Sequence, residues 1–278
     1  MAAFVSFLYD IFKTIILGIV QGITEWLPVS STGHLILFST FFPLNPQEFF
    51  DVFKVVIQFG SIIAVLVLYF QKLWPWHKNN TPEKTKNTFL LWSKVIVGVL
   101  PALVFGLLLD DLIDSVLSTA FVISITLIGY GIIFIVVEKH PKKPTITSVE
   151  ELDYLTSLKI GFFQCLALIP GTSRSGATIL GGLFCGCTRK VSSEYSFFLA
   201  IPVMAGASAL KILKYFKNYG FFSFGQIFLL LLGTAVAFVV SLVAIRRLLQ
   251  YVRSHDFTIF GKYRIVLGII VLIFFYVL

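Results

Sequence analysis

A chain of 278 residues that is 57% hydrophobic, 16% aromatic and 13% charged, with a mean hydropathy of +0.92, is not an ordinary soluble domain, since such domains carry about 25% charged residues. The apolar runs are continuous and of helix length, which excludes a barrel of short alternating strands. The net charge of +8 implies no nucleic-acid partner, because fourteen of the 22 Lys and Arg lie in 71–94, 139–159 and 246–264, the pattern of cytoplasmic loops.

An apolar helix is expected over about 8–27, ending at Leu27-Pro28. Proline lacks an amide hydrogen and disfavours helix in the residue before it. No small-residue cleavage site follows this run, so it is expected to stay in the mature chain. Ser30 or Ser31 then offers an N-cap for a second arm, about 31–42, which stops at Pro43. An arm of about 12 residues rises about 18 Å, too little for a ~30 Å hydrocarbon core. A re-entrant helix hairpin is therefore expected rather than two spans.

The next segment, roughly 50–70, has Glu48, Asp51 and Lys54 near its start and contains Gln58. Loop 71–94 has five lysines and reads as cytoplasmic, with Trp74 and Trp76 as interfacial belt residues. Asn79-Asn80-Thr81 has the spacing of a glycosylation acceptor but lies on the wrong side for one. Segment 91–109 crosses outward to an acidic turn at 110–114, 117–138 returns, and the polar loop 139–159 is the best boundary. A second hairpin follows, with short arms at about 157–169 and 173–186 broken at Pro170-Gly171. Segments 193–211, 225–249 and 262–278 complete the chain, the last two joined by the basic linker 246–264. Cys165, Cys185 and Cys187 show no metal-ligand spacing and read as small packing residues.

The halves share a plan. Gly18-x-x-Gln21 with Pro28 and Gly33 parallels Gly161-x-x-Gln164 with Pro170 and Gly176, and Glu48 and Gly60 parallel Glu194 and Gly206. The expected fold is one all-α polytopic membrane domain, 1–278, built from repeats of about 1–138 and 139–278. Each repeat holds one re-entrant hairpin and three transmembrane helices, giving about six full spans and two hairpins. Three spans is an odd number, so the repeats are inverted and their hairpin tips meet near the midplane. Both termini then lie outside, as do Lys211, Lys214 and Lys217, against the positive-inside trend.

Two polar stretches lie where apolar flanks demand lipid depth, 21–34 and 170–178, and polar groups there are expensive and usually functional. Gln21 and Glu25 are four apart and share a helical face that suits Mg²⁺ or Ca²⁺. Ser31 and His34 are three apart, a spacing for a nucleophile beside an acid–base group. One of Ser30, Ser31 and Thr32 serves as a cap. Arg174 is the only arginine expected deep in an apolar region, and its guanidinium suits phosphate or carboxylate oxygens. Gly171, Ser173, Ser175 and Thr178 surround the start of the following helix, an anion-binding arrangement. Glu194 reads equally as a site residue or an interfacial cap.

These two stretches together resemble the bacterial undecaprenyl-pyrophosphate phosphatases, the bacitracin-resistance integral membrane family. The first family motif appears at Gln21, Glu25 and 28–34 (Pro-Val-Ser-Ser-Thr-Gly-His), and the second at 170–178 (Pro-Gly-Thr-Ser-Arg-Ser-Gly-Ala-Thr). This chain has Gln21 where many members have a first Glu. The resemblance implies removal of the terminal phosphate of a C55 polyprenyl pyrophosphate lipid, regenerating the carrier for peptidoglycan synthesis. It also implies a divalent cation and a site on the outer side of the bacterial cytoplasmic (inner) membrane. It assigns function to Glu25, Ser31, His34, Ser173, Arg174 and Thr178, with Gln21 in support. Two nucleophiles stay open, Ser31 with His34 or Glu25 as base, and water activated at Glu25. The rival class is a polyprenyl-phosphate flippase or transporter, because broken helices in inverted repeats also mark transporters. Pairing of two chains as a homodimer is left open.

Overall fold

Apolar runs that cannot leave backbone amides unpaired in lipid are driven into helix, and a computed structural model of the chain is helical almost throughout. It describes residues 2–77, 80–112, 117 and 119–276. The acidic turn at 110–114 and Asn79 lie outside the described residues or their described side chains. Among the described residues, twelve α-helices run in order: α1 (Ala2–Thr24), α2 (Ser31–Phe41), α3 (Gln47–Val56), α4 (Gln58–Leu68), α5 (Phe70–Leu73) and α6 (Pro82–Leu112). They continue as α7 (Ala120–Lys139), α8 (Tyr154–Cys165), α9 (Arg174–Phe184), α10 (Arg189–Tyr219), α11 (Phe224–Tyr251) and α12 (Thr258–Tyr276).

Seven of the described segments are long and apolar enough to cross a membrane, against about six expected. The addition is α1. It starts well before residue 8 and ends at Thr24, so its 23 residues rise about 35 Å. The three other hairpin arms stay short, with 11 residues in α2, 12 in α8 and 11 in α9. Arm α8 begins earlier than residue 157 because Asp153 caps it, its carboxylate accepting from the Thr156 amide at 2.6 Å. That bond, with the Thr156 hydroxyl ahead of it, holds the exposed Asp153 carboxyl below its usual range.

Large apolar side chains such as Phe4, Leu107, Leu108 and Phe228 face outward, as lipid contact demands. Helix contacts are therefore made by small residues, which let backbones approach closely. Gly18 and Gly22 of α1 face α11, where a Cβ at Gly22 would stand 2.8 Å from the Ala237 carbonyl oxygen. Gly131 of α7 and Gly261 of α12 are mutually close, each hypothetical Cβ falling 2.7 Å from the other's carbonyl oxygen. The remaining principal packings are α8 on α6, α4 on α11, α10 on α9, α8 on α9, and α10 on both α3 and α4.

At the end of the molecule where α7 stops, Arg189 donates to Glu138 through Nε at 3.0 Å and Nη2 at 2.6 Å. Glu138 also accepts the Phe257 amide at 3.0 Å, tying α7, α10 and the entry to α12 together. The loop after α7 is held by a bridge between Ile146 and Cys187. Glu194 sits on this side too, 3.8 Å from both Lys72 and Lys190.

Candidate active site

Helix α1 gives way to a turn at 25–29 because Pro28 cannot continue it. The chain re-enters helix at Ser30, which takes φ = 73° and caps α2 by accepting the Gly33 amide at 3.2 Å. The second hairpin repeats this join. Ser173, also at φ = 73°, caps α9 by accepting the Gly176 amide at 3.1 Å. Left-handed backbone at a residue with a Cβ is strained, of the order of 1–3 kcal/mol each. Here the same strain recurs at both helix starts, and in each case the cap bond offsets part of it.

The turns bring together what lay 149 positions apart. Arg174 Nη2 donates to Glu25 Oε1 at 2.9 Å, with both side chains almost wholly buried. The other carboxylate oxygen, Oε2, accepts from Gln21 Nε2 at 2.8 Å and from the Ser31 hydroxyl at 2.9 Å. An amide facing a carboxylate must present its NH₂, so Gln21 Oε1 points elsewhere, and it is buried without a partner among the described residues. Arg174 also donates to the Ser196 carbonyl at 2.8 Å and lies over the Trp26 ring at 5.6 Å. Ser175 crosses between hairpins, donating to the Leu27 carbonyl at 3.2 Å.

Beside this cluster is a cavity of about 220 Å³, lined by Glu25, Ser31, Thr32, Gly171, Ser173 and Arg174 and walled by Gln58, Gln164 and small apolar residues. That is several times the ~30 Å³ share of one water. The structure therefore brings Gln21, Glu25, Ser31 and Arg174 into one network, with Thr32, Gly171 and Ser173 beside them. It does not bring in His34 and Thr178. The His34 Nδ1 lies 2.8 Å from the Ser30 carbonyl oxygen and must donate to it. Nε2 is then left to accept from the Tyr263 hydroxyl at 2.6 Å, with the two rings stacked. The i, i+3 spacing puts His34 and Ser31 on adjacent turns, yet Ser31 bonds Glu25 instead. Thr178 is buried against α10, 2.6 Å from the Ser196 hydroxyl, and Ser30 is used as the cap.

No group of three or more His, Cys, Asp or Glu that could hold a metal occurs among the described residues. Within the network Glu25 offers the one carboxylate for a hard cation, and Gln21 Oε1, turned away from it by the Nε2 hydrogen bond, could join as a ligand only with the amide turned over, phosphate oxygens supplying the rest.

One residue of this centre was missed by sequence reasoning, and it corrects the expectation that Arg174 is the only deeply placed arginine. Arg264 is 0% exposed. Its Nη1 donates to the Pro28 carbonyl at 3.2 Å and its Nη2 to the Gly171 carbonyl at 3.0 Å, one from each hairpin turn. A longer contact reaches the Thr126 carbonyl at 3.5 Å, and the Tyr130 ring lies beneath at 5.7 Å. Thr126 completes the joint, its hydroxyl donating to the Pro170 carbonyl at 2.8 Å. Buried carbonyls freed by helix breaks need donors, and Arg264 supplies them. Its place at the edge of a basic linker hid this role; only its offset from the apolar run that follows was a signal.

Seven apolar segments among the described residues, packed around a buried network of Glu25, Ser31 and Arg174, define an integral, multi-pass membrane protein. The chain belongs to the family described as Bacitracin resistance protein BacA, which it matches over residues 14–270. It is 53% identical to undecaprenyl-diphosphatase 1 of Clostridioides difficile (strain 630), with 98% of each chain covered. It is 52% identical to the undecaprenyl-diphosphatase of Streptococcus sanguinis (strain SK36), covering 96% of this chain and 97% of that one. With the undecaprenyl-diphosphatase of Enterococcus faecalis (strain ATCC 700802 / V583) the identity is 51%, over 95% and 96%.

Proposed function

We propose that this chain is an undecaprenyl-diphosphatase, a membrane phosphatase that cleaves the terminal phosphate from undecaprenyl diphosphate and leaves undecaprenyl phosphate. The observation that carries the reading is the convergence of Glu25, Ser31 and Arg174 beside one cavity at the capped starts of two helices. Phosphoryl transfer asks mainly for positioning and for charge opposite the transferring oxygens. Arg174 meets that need. Its charge is balanced by Glu25, and an entering diphosphate takes over part of that pairing.

Ser31 is the proposed nucleophile. Its Oγ attacks the terminal phosphorus while its proton passes to Glu25, the group it already bonds at 2.9 Å. The bond from phosphorus to the bridging oxygen breaks, and undecaprenyl phosphate departs. Water then hydrolyses the phosphoserine, releasing inorganic phosphate and restoring the Ser31 hydroxyl. His34, engaged with Ser30 and Tyr263, holds the α2 start in place rather than serving as the base.

A divalent cation, Mg²⁺ or Ca²⁺, would be held on the protein side by Glu25 and by Gln21 with its amide turned over. When bound it neutralises phosphate charge. EDTA is then expected to stop phosphate release and added Mg²⁺ or Ca²⁺ to restore it. Release indifferent to EDTA excludes the cation.

The inverted repeat is supported by the packing pattern, and the short arms α8 and α9 support a re-entrant second hairpin, whereas α1 is long enough to span. Exchanging α1 with α8, α3–α4 with α10, α6 with α11 and α7 with α12 turns the α1·α11 contact into α8·α6 and returns α7·α12 and α4·α10 to themselves. Together with the cationic loops, this favours a site open to the outer side of the cytoplasmic membrane. A single assay tests side and mechanism, namely phosphate release from undecaprenyl diphosphate in the outer leaflet of sealed vesicles. Wild type is expected to release phosphate there, and Ser31→Ala to lower the rate by roughly 10³-fold or more. Near-normal turnover by Ser31→Ala assigns the attack to water. Lipid movement without phosphate release returns the transport reading.

A further inference from the structure

Gln164 on α8 lines the same cavity as Glu25, Ser31 and Arg174. It is 2% exposed, and neither Nε2 nor Oε1 has a hydrogen-bond partner among the described residues. An interior tolerates few such groups, because a buried donor or acceptor left unpaired loses its water and gains nothing in return. Leucine or methionine would fill nearly the same volume without that cost. The amide is therefore held for something that enters the cavity.

The repeat sharpens the point. Gln21 and Gln164 stand at matching places, each three residues after a glycine that packs on a neighbouring helix, Gly18 on α11 and Gly161 on α6. Gln21 spends its Nε2 on Glu25, four residues later. The residue four after Gln164 is Leu168, whose side chain cannot accept a hydrogen bond. Matching amides thus have different fates, one tied to the protein's carboxylate and the other without a partner among the described residues.

We propose that Gln164 is a substrate-binding residue whose Nε2 donates to a non-bridging oxygen of the lipid diphosphate. The proposal rests on the reading of this cavity as the diphosphate site. A neutral amide adds a donor without adding a second cation. Arg174 and Gln164 then approach the diphosphate from the two arms of the second hairpin, α9 and α8, while Glu25 and Ser31 come from the first.

The test uses the full-length protein in detergent, with a non-hydrolysable methylene-diphosphonate analogue of a prenyl diphosphate as probe. Gln164→Leu is expected to weaken analogue binding by roughly 10- to 100-fold, the range of one hydrogen bond to a charged oxygen. Its ligand-free melting temperature is expected to equal or exceed that of wild type, since an unpaired amide has been removed. Gln164→Glu keeps the volume but sets a carboxylate against phosphate, and is expected to bind more weakly still. Unchanged binding by both variants overturns the proposal, as does a fall in melting temperature that accompanies lost binding in both, which marks a structural amide. If wild type neither binds the analogue nor releases phosphate, the diphosphate reading itself is at fault. If wild type does both and Gln164→Leu matches it, only the role of Gln164 fails.

Discussion

Arg174→Ala and Glu25→Ala each lower phosphate release from undecaprenyl diphosphate by an expected 10³-fold or more, the scale of removing a phosphate-facing arginine or a general base. Both residues belong to one network, so the double variant is expected to lose little beyond either single one. Stability is expected to behave differently. Breaking a buried ion pair strands a charge and costs about 3–5 kcal/mol, and here the side chains are 12% and 6% exposed. Each single variant should therefore melt lower than wild type, whereas the double variant recovers much of that loss and stays inactive. Circular dichroism melts beside phosphate assays separate the two effects. If the double variant is active, or if a single variant that stays folded turns over normally, the pair is only a structural tie between the hairpins. Direct contact at 2.9 Å is what a structural tie would also show, so the divergence of stability from activity decides the matter.

Arg264→Met carries the second large expectation, a loss of about 3 kcal/mol or more and of activity with it. The substitution keeps an unbranched apolar stem and removes the guanidinium donors. The Pro28 and Gly171 carbonyls each lose a bond of 3.0–3.2 Å, and a buried acceptor left unpaired costs about 1–3 kcal/mol. Burying a guanidinium is itself costly. The carbonyls and the Tyr130 ring offset that cost only while both turns hold their places. Arg264→Lys restores the charge but not the planar fork, so it is expected to recover part of the stability. A melting temperature and turnover equal to wild type in Arg264→Met would show that the turns hold without the clamp.

The site was legible to the extent that its residues broke the local pattern. Gln21, Glu25, Ser31 and Arg174 stand out because lipid-depth flanks leave no bland place for them. Arg264 and Glu138 did not stand out, because each lies at the end of an apolar run where a charge usually faces water. Local spacing also misled for His34. Residues three apart share a face, but ring direction follows from partners distant in sequence, and Tyr263 claims Nε2 from 229 positions away. Similarly, Thr178 lies within the anion motif yet turns to Ser196 on α10.

Composition and hydropathy alone determined that the chain is a helical membrane protein, and proline, glycine and serine in both motifs determined where its helices break. Those are local consequences of missing amides, missing Cβ atoms and the cost of unpaired backbone in lipid. Tertiary structure decided the rest: that α1 is long enough to span, that Ser31 bonds Glu25 and not His34, and that Arg264 joins the turns. Each of these depends on which side chains meet across helices, and in a chain this apolar many packings satisfy the same hydropathy.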